Sequence, residues 1–147
     1  MPHAVIVSIE IPAPRGEVWA DVVDIAGHAG WMADAESIEF LGSQTEGAGT
    51  RVSVATRFGP LRTSDIMEFT AWEPPGRMAV HHTGLFTGTG EFTLEEAGPG
   101  ATRFTWREDV EFPWFFGGPI GARVARPMLA WVWRRNLKRL RARFSAR

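Results

Sequence analysis

The chain has 147 residues, 44% of them apolar, with 16 Lys/Arg against 17 Asp/Glu for a formal net charge of −1. That length predicts one domain, residues 1–147, with room for a real core, and near-neutral charge argues against a nucleic-acid partner. With no Cys, disulfides, thiolate nucleophiles and Cys-ligated metals are excluded, and with no Tyr the phenol is lost as an acid.

No basic segment followed by an apolar run opens the chain, and no stretch reaches the ~18 apolar residues of a membrane span, so a cytoplasmic protein without a transmembrane segment is expected. Val5, Val7, Ile9 and Ile11 alternate with Ala4, Ile6, Ser8 and Glu10, the pattern of a half-buried strand. Pro12 and Pro14 end it, and Pro14 suits the first turn of a helix. Val18, Trp19, Val22 and Val23 then recur at helical spacing, opposite Glu17, Asp21 and Asp24, until Gly27 and Gly30 break the run and leave a short segment from His28 to Met32. Six strands follow, at residues 37–41, 50–58, 61–72, 78–83, 88–95 and 102–111. The turns include Gly47-Ala48-Gly49, Gly59-Pro60, Pro74-Pro75-Gly76 and Gly98-Pro99-Gly100. Val52, Val54, Thr56 and Phe58 share one face of their strand.

From about Gly121 to Phe144 the chain reads as one long basic helix: between Arg123 and Arg147 there are nine Lys/Arg and no Asp or Glu. Leu129, Val132, Trp133, Leu137, Leu140 and Phe144 lie on one face. Ile120, Val124, Met128 and Trp131 form a second stripe rotated away from it, and Pro127 between the two predicts a kink or an early break. The rear stripe is expected to pack on the sheet; the front one either roofs a cavity or presents an exposed apolar surface. Ahead of the helix, Phe112-Pro113-Trp114-Phe115-Phe116 carries four aromatics in five residues. This loop either caps the core, lids a cavity mouth, or, through Trp114, Phe115 and Phe116, meets a second copy of the chain or a membrane surface.

The order strand, helix, short helix, six strands, long helix resembles the helix-grip architecture of the START/Bet v 1-like (SRPBCC) superfamily. Within it, the chain is most similar to the polyketide cyclase/dehydrase and lipid-transport family. The matching segments are Ile11-Pro12-Ala13-Pro14 followed by Val18-Trp19, Trp31, Gly47-Ala48-Gly49-Thr50-Arg51, Trp72-Glu73-Pro74-Pro75-Gly76-Arg77-Met78 and Gly100-Ala101-Thr102-Arg103-Phe104-Thr105-Trp106. These are turns and core positions, so they speak to fold more than to chemistry. The resemblance implies an α+β helix-grip fold: a seven-stranded antiparallel sheet wrapped around a long C-terminal helix, with two short helices after the first strand. It implies a hydrophobic small molecule, a lipid or an aromatic polyketide-like compound, bound between sheet and helix. The expected lining is Trp31, Val54, Met67, Phe69, Val80, Phe92, Trp106, Val124 and Met128. Two alternatives stay open: a cofactor-independent cyclase or dehydratase using the same cavity, and an interaction protein acting through the basic helix.

Strand alternation selects the candidate acid/base groups. Glu108 is in phase with Phe104, Trp106 and Val110; Asp65 with Met67 and Phe69; His82 with Met78 and Val80. If they converge, they supply the acid/base pair that cyclisation or dehydration needs. His81 faces away from His82, His3 and His28 are distant in sequence, and no H-x-H or H-E-x-x-H spacing exists, so no metal is expected. Nor is a cofactor: Gly47-Ala48-Gly49 lacks the third glycine of a dinucleotide fingerprint and leads into a strand, Gly117-Gly118-Pro119 has no Walker lysine, and there is no G-x-S-x-G.

Overall fold

The computed structural model describes residues 4–58 and 60–145. Strands β1 (Ala4–Ile11), β2 (Ala35–Phe40), β3 (Arg51–Phe58), β4 (Leu61–Glu73), β5 (Arg77–Thr83), β6 (Thr87–Glu96) and β7 (Thr102–Glu111) form one antiparallel sheet in the order β1-β7-β6-β5-β4-β3-β2. Helix α1 (Arg15–Val22) and a 3-10 helix (Ala26–Gly30) fill the crossover from β1 to β2, on opposite edges of the sheet. Helix α2 (Gly118–Ser145) closes the chain. This is the expected helix-grip fold. The side chain of Phe58, assigned above to the face of Val52 and Val54, lies outside the described residues, as do Gly59 and His3.

The meander from β2 to β7 follows from tight turns that leave consecutive strands no choice but antiparallel pairing. Two register shifts, between Ala35 and Ser37 on β2 and between Phe69 and Ala71 on β4, mark bulges. A bulge bends its strand and increases the local twist, which is how the sheet acquires a concave face. The first of them also explains why β2 begins two residues ahead of its expected start: Ala35 pairs with Thr56 across the bulge. The short 3-10 helix likewise begins at Ala26 rather than at His28.

Helix α2 packs across β1 and β7. Its rear stripe behaves as its spacing requires: Leu129, Trp133, Leu137, Leu140 and Phe144 are buried against Val5, Val7, Ile11, Phe104 and Trp106. Trp133 stacks on Trp106 with centroids 5.0 Å apart and planes at 20°. Each fully buried Leu in this stripe contributes roughly 1.5–3 kcal/mol, so the rear half anchors the helix. Arg143 adds a paired contact, donating from Nε and Nη2 to the two oxygens of Asp21 on α1, each at 2.9 Å.

Two expectations about α2 are corrected. It begins at Gly118 rather than Gly121, and Pro127 lies inside it without ending it. A proline removes one backbone hydrogen bond, but here the helix continues because the residues that follow are the ones anchored in the core. The front stripe does not roof the cavity as a unit. Ile120, Val124, Met128 and Trp131 are 75%, 74%, 52% and 57% exposed, so this face is an apolar surface open to solvent.

Candidate functional site

Between the concave face of the sheet and α2 lies a cavity of about 240 Å³. Its walls come from every strand except β1. Val52 and Val54 of β3, Met67 and Phe69 of β4, Met78 and Val80 of β5, Phe92 of β6 and Trp106 of β7 form the sheet side. Ala125, Met128, Leu129 and Trp133 form the helix side. Ile25, His28 and Met32 close one end, and Phe86, Phe112 and Phe116 meet at another. Phe86 sits 4.8 Å from Phe112 and 5.7 Å from Phe116, ring to ring. The aromatic loop is therefore divided: Phe112 and Phe116 face the cavity, while Trp114 is 86% and Phe115 57% exposed.

Seven of the nine residues expected on the wall are there: Val54, Met67, Phe69, Val80, Phe92, Trp106 and Met128. Two are not. Val124 points to solvent, because it falls four residues after Ile120 in the same outward stripe of the helix. Trp31 is only 1% exposed but sits behind the wall, its ring against His28, Phe92, Phe104 and Trp106. It supports rings that face the cavity without facing it itself.

Asp65, His82 and Glu108 all open onto this cavity, from β4, β5 and β7. His82 and Glu108 are separated by β6, and what brings them together is that β6 carries no side chain between them. His82 pairs with Gly88, which pairs with Val110; Val80 pairs with Gly90, which pairs with Glu108. A Cβ at Gly90 would stand 3.2 Å from Cγ and Oε1 of Glu108 and from Cγ2 of Val80. A Cβ at Gly88 would collide with the carbonyl oxygen of Asp109. Over this bare strand, His82 Nε2 reaches to 3.7 Å from Glu108 Oε2.

The protonation logic can be read from the partners. His82 Nδ1 lies 2.9 Å from the Phe86 carbonyl oxygen. A carbonyl only accepts, so Nδ1 carries a hydrogen, which leaves Nε2 as the ring nitrogen turned toward Glu108. At 3.7 Å the contact to Glu108 is too long for a direct hydrogen bond, and Nε2 has no hydrogen-bond partner. Trp106 Nε1 donates to Glu108 Oε1 at 3.2 Å. Burial pushes the Glu108 carboxyl above its ordinary range, against the pull of His82 and the Trp106 indole. Burial likewise raises Asp65, opposed by His82 and by the backbone N–H of Leu85. Asp65 Oδ1 and the neighbouring Thr63 hydroxyl, both on the cavity wall, are buried without a hydrogen-bond partner. An imidazole beside a carboxyl whose proton affinity burial raises is the pairing that acid/base chemistry draws on.

A third carboxylate lines the cavity that strand phase did not reveal. Asp34 precedes β2 and is tied to α2 through Asn136, which is fully buried. Asn136 Nδ2 donates to Asp34 Oδ1 at 2.7 Å, and Asn136 Oδ1 accepts from the Ala33 N–H at 3.0 Å. Burial raises the Asp34 carboxyl; the Asn136 amide and the Trp133 indole oppose this. A sequence signal did exist, since Asn136 is the one amide beside the buried stripe of α2, adjacent to Leu137 and four residues before Leu140. His28 also faces the cavity, but its Nε2 is taken by the Val22 carbonyl at 2.7 Å, and burial lowers its basicity, so it serves as a neutral wall residue. His81 is exposed, as strand phase requires. Among the described residues, no three His, Asp or Glu side chains are grouped to hold a metal ion, and no helix is long and apolar enough to cross a membrane.

A seven-stranded sheet gripping a C-terminal helix, with a largely apolar cavity between them, is a helix-grip fold. The chain belongs to the polyketide cyclase / dehydrase and lipid transport family, whose sequence pattern matches residues 2–145. Among solved structures it is similar to a protein of Thermus thermophilus, at 22% identity and TM-score 0.81, covering 97% of both chains. A START superfamily protein of Mycobacterium smegmatis aligns at 16% identity and TM-score 0.78, again over 97% of both. The ZhuI aromatase/cyclase of Streptomyces sp. R1128 aligns at 19% identity and TM-score 0.73, over 95% of this chain and 92% of that one. At these identities the likeness establishes the fold alone. No curated protein matches the chain. Membership in the family implies hydrophobic ligand binding or cyclase activity.

Proposed function

We propose that this protein binds a small, mainly hydrophobic molecule between sheet and α2, with the ligand's polar group seated against Asp65, His82 and Glu108. One observation carries this reading. An otherwise apolar wall bears three buried polar atoms, Thr63 Oγ1, Asp65 Oδ1 and His82 Nε2, that no protein group satisfies. Leaving such an atom unpaired costs about 1–3 kcal/mol, and a ligand group that pairs with it recovers that cost on binding. A void of ~150 Å³ already accommodates a benzene ring, so about 240 Å³ leaves room for a larger aromatic body. The test is titration with N-phenyl-1-naphthylamine, a neutral fluorophore at pH 7. Saturable one-to-one binding is expected, weakened at least tenfold by Val80→Phe, with folding of the variant checked by circular dichroism. Linear, non-saturating fluorescence, or equal affinity for the folded variant, would refute the reading.

A second reading, dehydration or cyclisation in the same cavity, is favoured by the 3.7 Å approach of His82 Nε2 to Glu108 Oε2. In a dehydration, His82 Nε2 removes the proton α to a carbonyl as the C–OH bond breaks. Protonated Glu108 delivers its proton to the departing hydroxyl, which leaves as water, and the proton on His82 then returns to Glu108. General acid–base assistance of this kind is worth ~10²–10⁴-fold. With 4-hydroxy-4-phenyl-2-butanone as a probe, formation of the conjugated enone should be accelerated by the wild-type chain and lost in His82→Gln. No acceleration over buffer would eliminate this second reading and leave the first intact.

A further inference from the structure

The charge inventory of the cavity is one-sided. Asp34, Asp65 and Glu108 turn carboxylates onto it from the segment before β2, from β4 and from β7. Glu91 also borders it, but its carboxylate is held by Arg77 Nε at 2.9 Å. The basic groups on the wall are two histidines, His28 from the 3-10 helix and His82 from β5; α2 contributes only Ala125, Met128, Leu129 and Trp133. Among the described residues, no Lys or Arg side chain borders the cavity. Burial disfavours the charged form of His28, more than its hydrogen bond to the Val22 carbonyl favours it, so His28 is a poor cation there. His82 alone therefore faces three acids.

We propose that the cavity selects hydrophobic molecules whose polar end is a basic amine, accepts a hydroxyl in its place, and excludes carboxylates. This deepens the binding reading above and rests on it. An ammonium group at the gap over Gly88 and Gly90 has Glu108 Oε2 and His82 Nε2 as acceptors, with the Asp65 carboxyl on the wall of the same cavity. An ammonium carries three donors, so it can use acceptors on more than one strand. A carboxylate in the same place has one imidazole to meet and stands beside the carboxyl groups of Asp65 and Glu108, whose ionisation it opposes in surroundings where repulsion is poorly screened. A hydroxyl donates once and repels nothing, so it falls between the two. The burial that raises Asp34, Asp65 and Glu108 acts in the same direction, since each of these acids gains a countercharge when an amine enters.

The experiment uses three probes that share one two-ring body and differ only in the head group: 1-naphthylmethylamine, 1-naphthalenemethanol and 1-naphthoic acid. Each competes with N-phenyl-1-naphthylamine for the wild-type chain at pH 7.5. The expected order is amine, then alcohol, then acid, with at least a tenfold gap in affinity between amine and acid. Asp65→Asn combined with Glu108→Gln should shrink that gap to about threefold or less, each affinity being taken relative to that of the alcohol for the same variant. Should the double variant not fold, the wild-type ranking alone decides. Equal or tighter binding of the naphthoate would overturn the inference and leave the cavity reading standing. Failure of the fluorophore itself to bind would overturn the cavity reading, and this inference with it.

Discussion

Replacing Asn136 by Ala is the most searching test of how the cavity is held. Asn136 is fully buried on α2 and makes two hydrogen bonds to the segment leading into β2, from the Ala33 N–H at 3.0 Å and to Asp34 Oδ1 at 2.7 Å. Truncation leaves a part-buried N–H donor and a carboxylate oxygen without their partner. A buried group left unpaired costs about 1–3 kcal/mol. Asp34 can take up a proton and keeps its contact with the Trp133 indole, so its share falls at the low end. The sum is about 3 kcal/mol, which for a chain of this size lowers Tm by roughly 6–12 °C. Thermal unfolding followed by circular dichroism measures it directly. Asn136→Asp separates the two bonds, since it keeps an acceptor for Ala33 but sets one carboxyl against another. Two such groups cannot both ionise cheaply, so one keeps its proton in the folded state at a pH where the unfolded chain has lost it. Folded Asn136→Asp then binds more protons than its unfolded form, and its stability must fall as pH rises from about 5 to 8. A loss below about 1 kcal/mol for Asn136→Ala, or no steeper pH dependence for Asn136→Asp than for wild type, would refute this account of the linkage.

Three further outcomes are expected. Glu108 has an ordinary value of 4.5 and is raised chiefly by burial, so between 4.5 and its folded value the native state holds a proton that the unfolded chain has released. The charge of Glu108 thus costs stability as pH rises through that window; Glu108→Gln should match wild type in Tm near pH 4 and exceed it at pH 8, and a Gln variant less stable at pH 8 would contradict the sign. At Gly88 a Cβ meets the Asp109 backbone, whereas at Gly90 it meets the movable side chains of Glu108 and Val80. Gly88→Ala should therefore cost about 3 kcal/mol or more and Gly90→Ala clearly less, as measured by urea unfolding. In the aromatic loop, Phe112→Ser removes a ring 4.8 Å from Phe86 and should cost about 2–3 kcal/mol, while Trp114→Ser, at a position 86% exposed, should stay within about 0.5 kcal/mol of wild type.

Much of the fold was legible in the sequence, because strand and helix periodicities are local. The alternation in Val5, Val7, Ile9 and Ile11 and the stripe from Leu129 to Phe144 each declare a buried face without reference to the rest of the chain. Errors arose where a tertiary contact overrides a local preference. Pro127 reads as a kink or an early break, and the break does not occur because the anchored residues beyond it carry the helix through. Trp31 reads as a wall residue, yet a second layer of rings stands between it and the cavity.

The candidate site was legible only as phase. Alternation placed Asp65, His82 and Glu108 on the inward face of their strands, which is all that a period of two can say. That His82 and Glu108 approach each other across β6 depends on pairing between residues 6 to 22 positions apart, with Gly88 and Gly90 lying bare between them. Asp34 enters the cavity from a segment with no periodicity, held by an amide 102 residues away. By itself, then, the sequence determined the elements, their buried faces and the family likeness, since these rest on local pattern. Only the tertiary structure decided that three acids and one free imidazole nitrogen share a single apolar space, because that is set by strand register and by where side chains are absent.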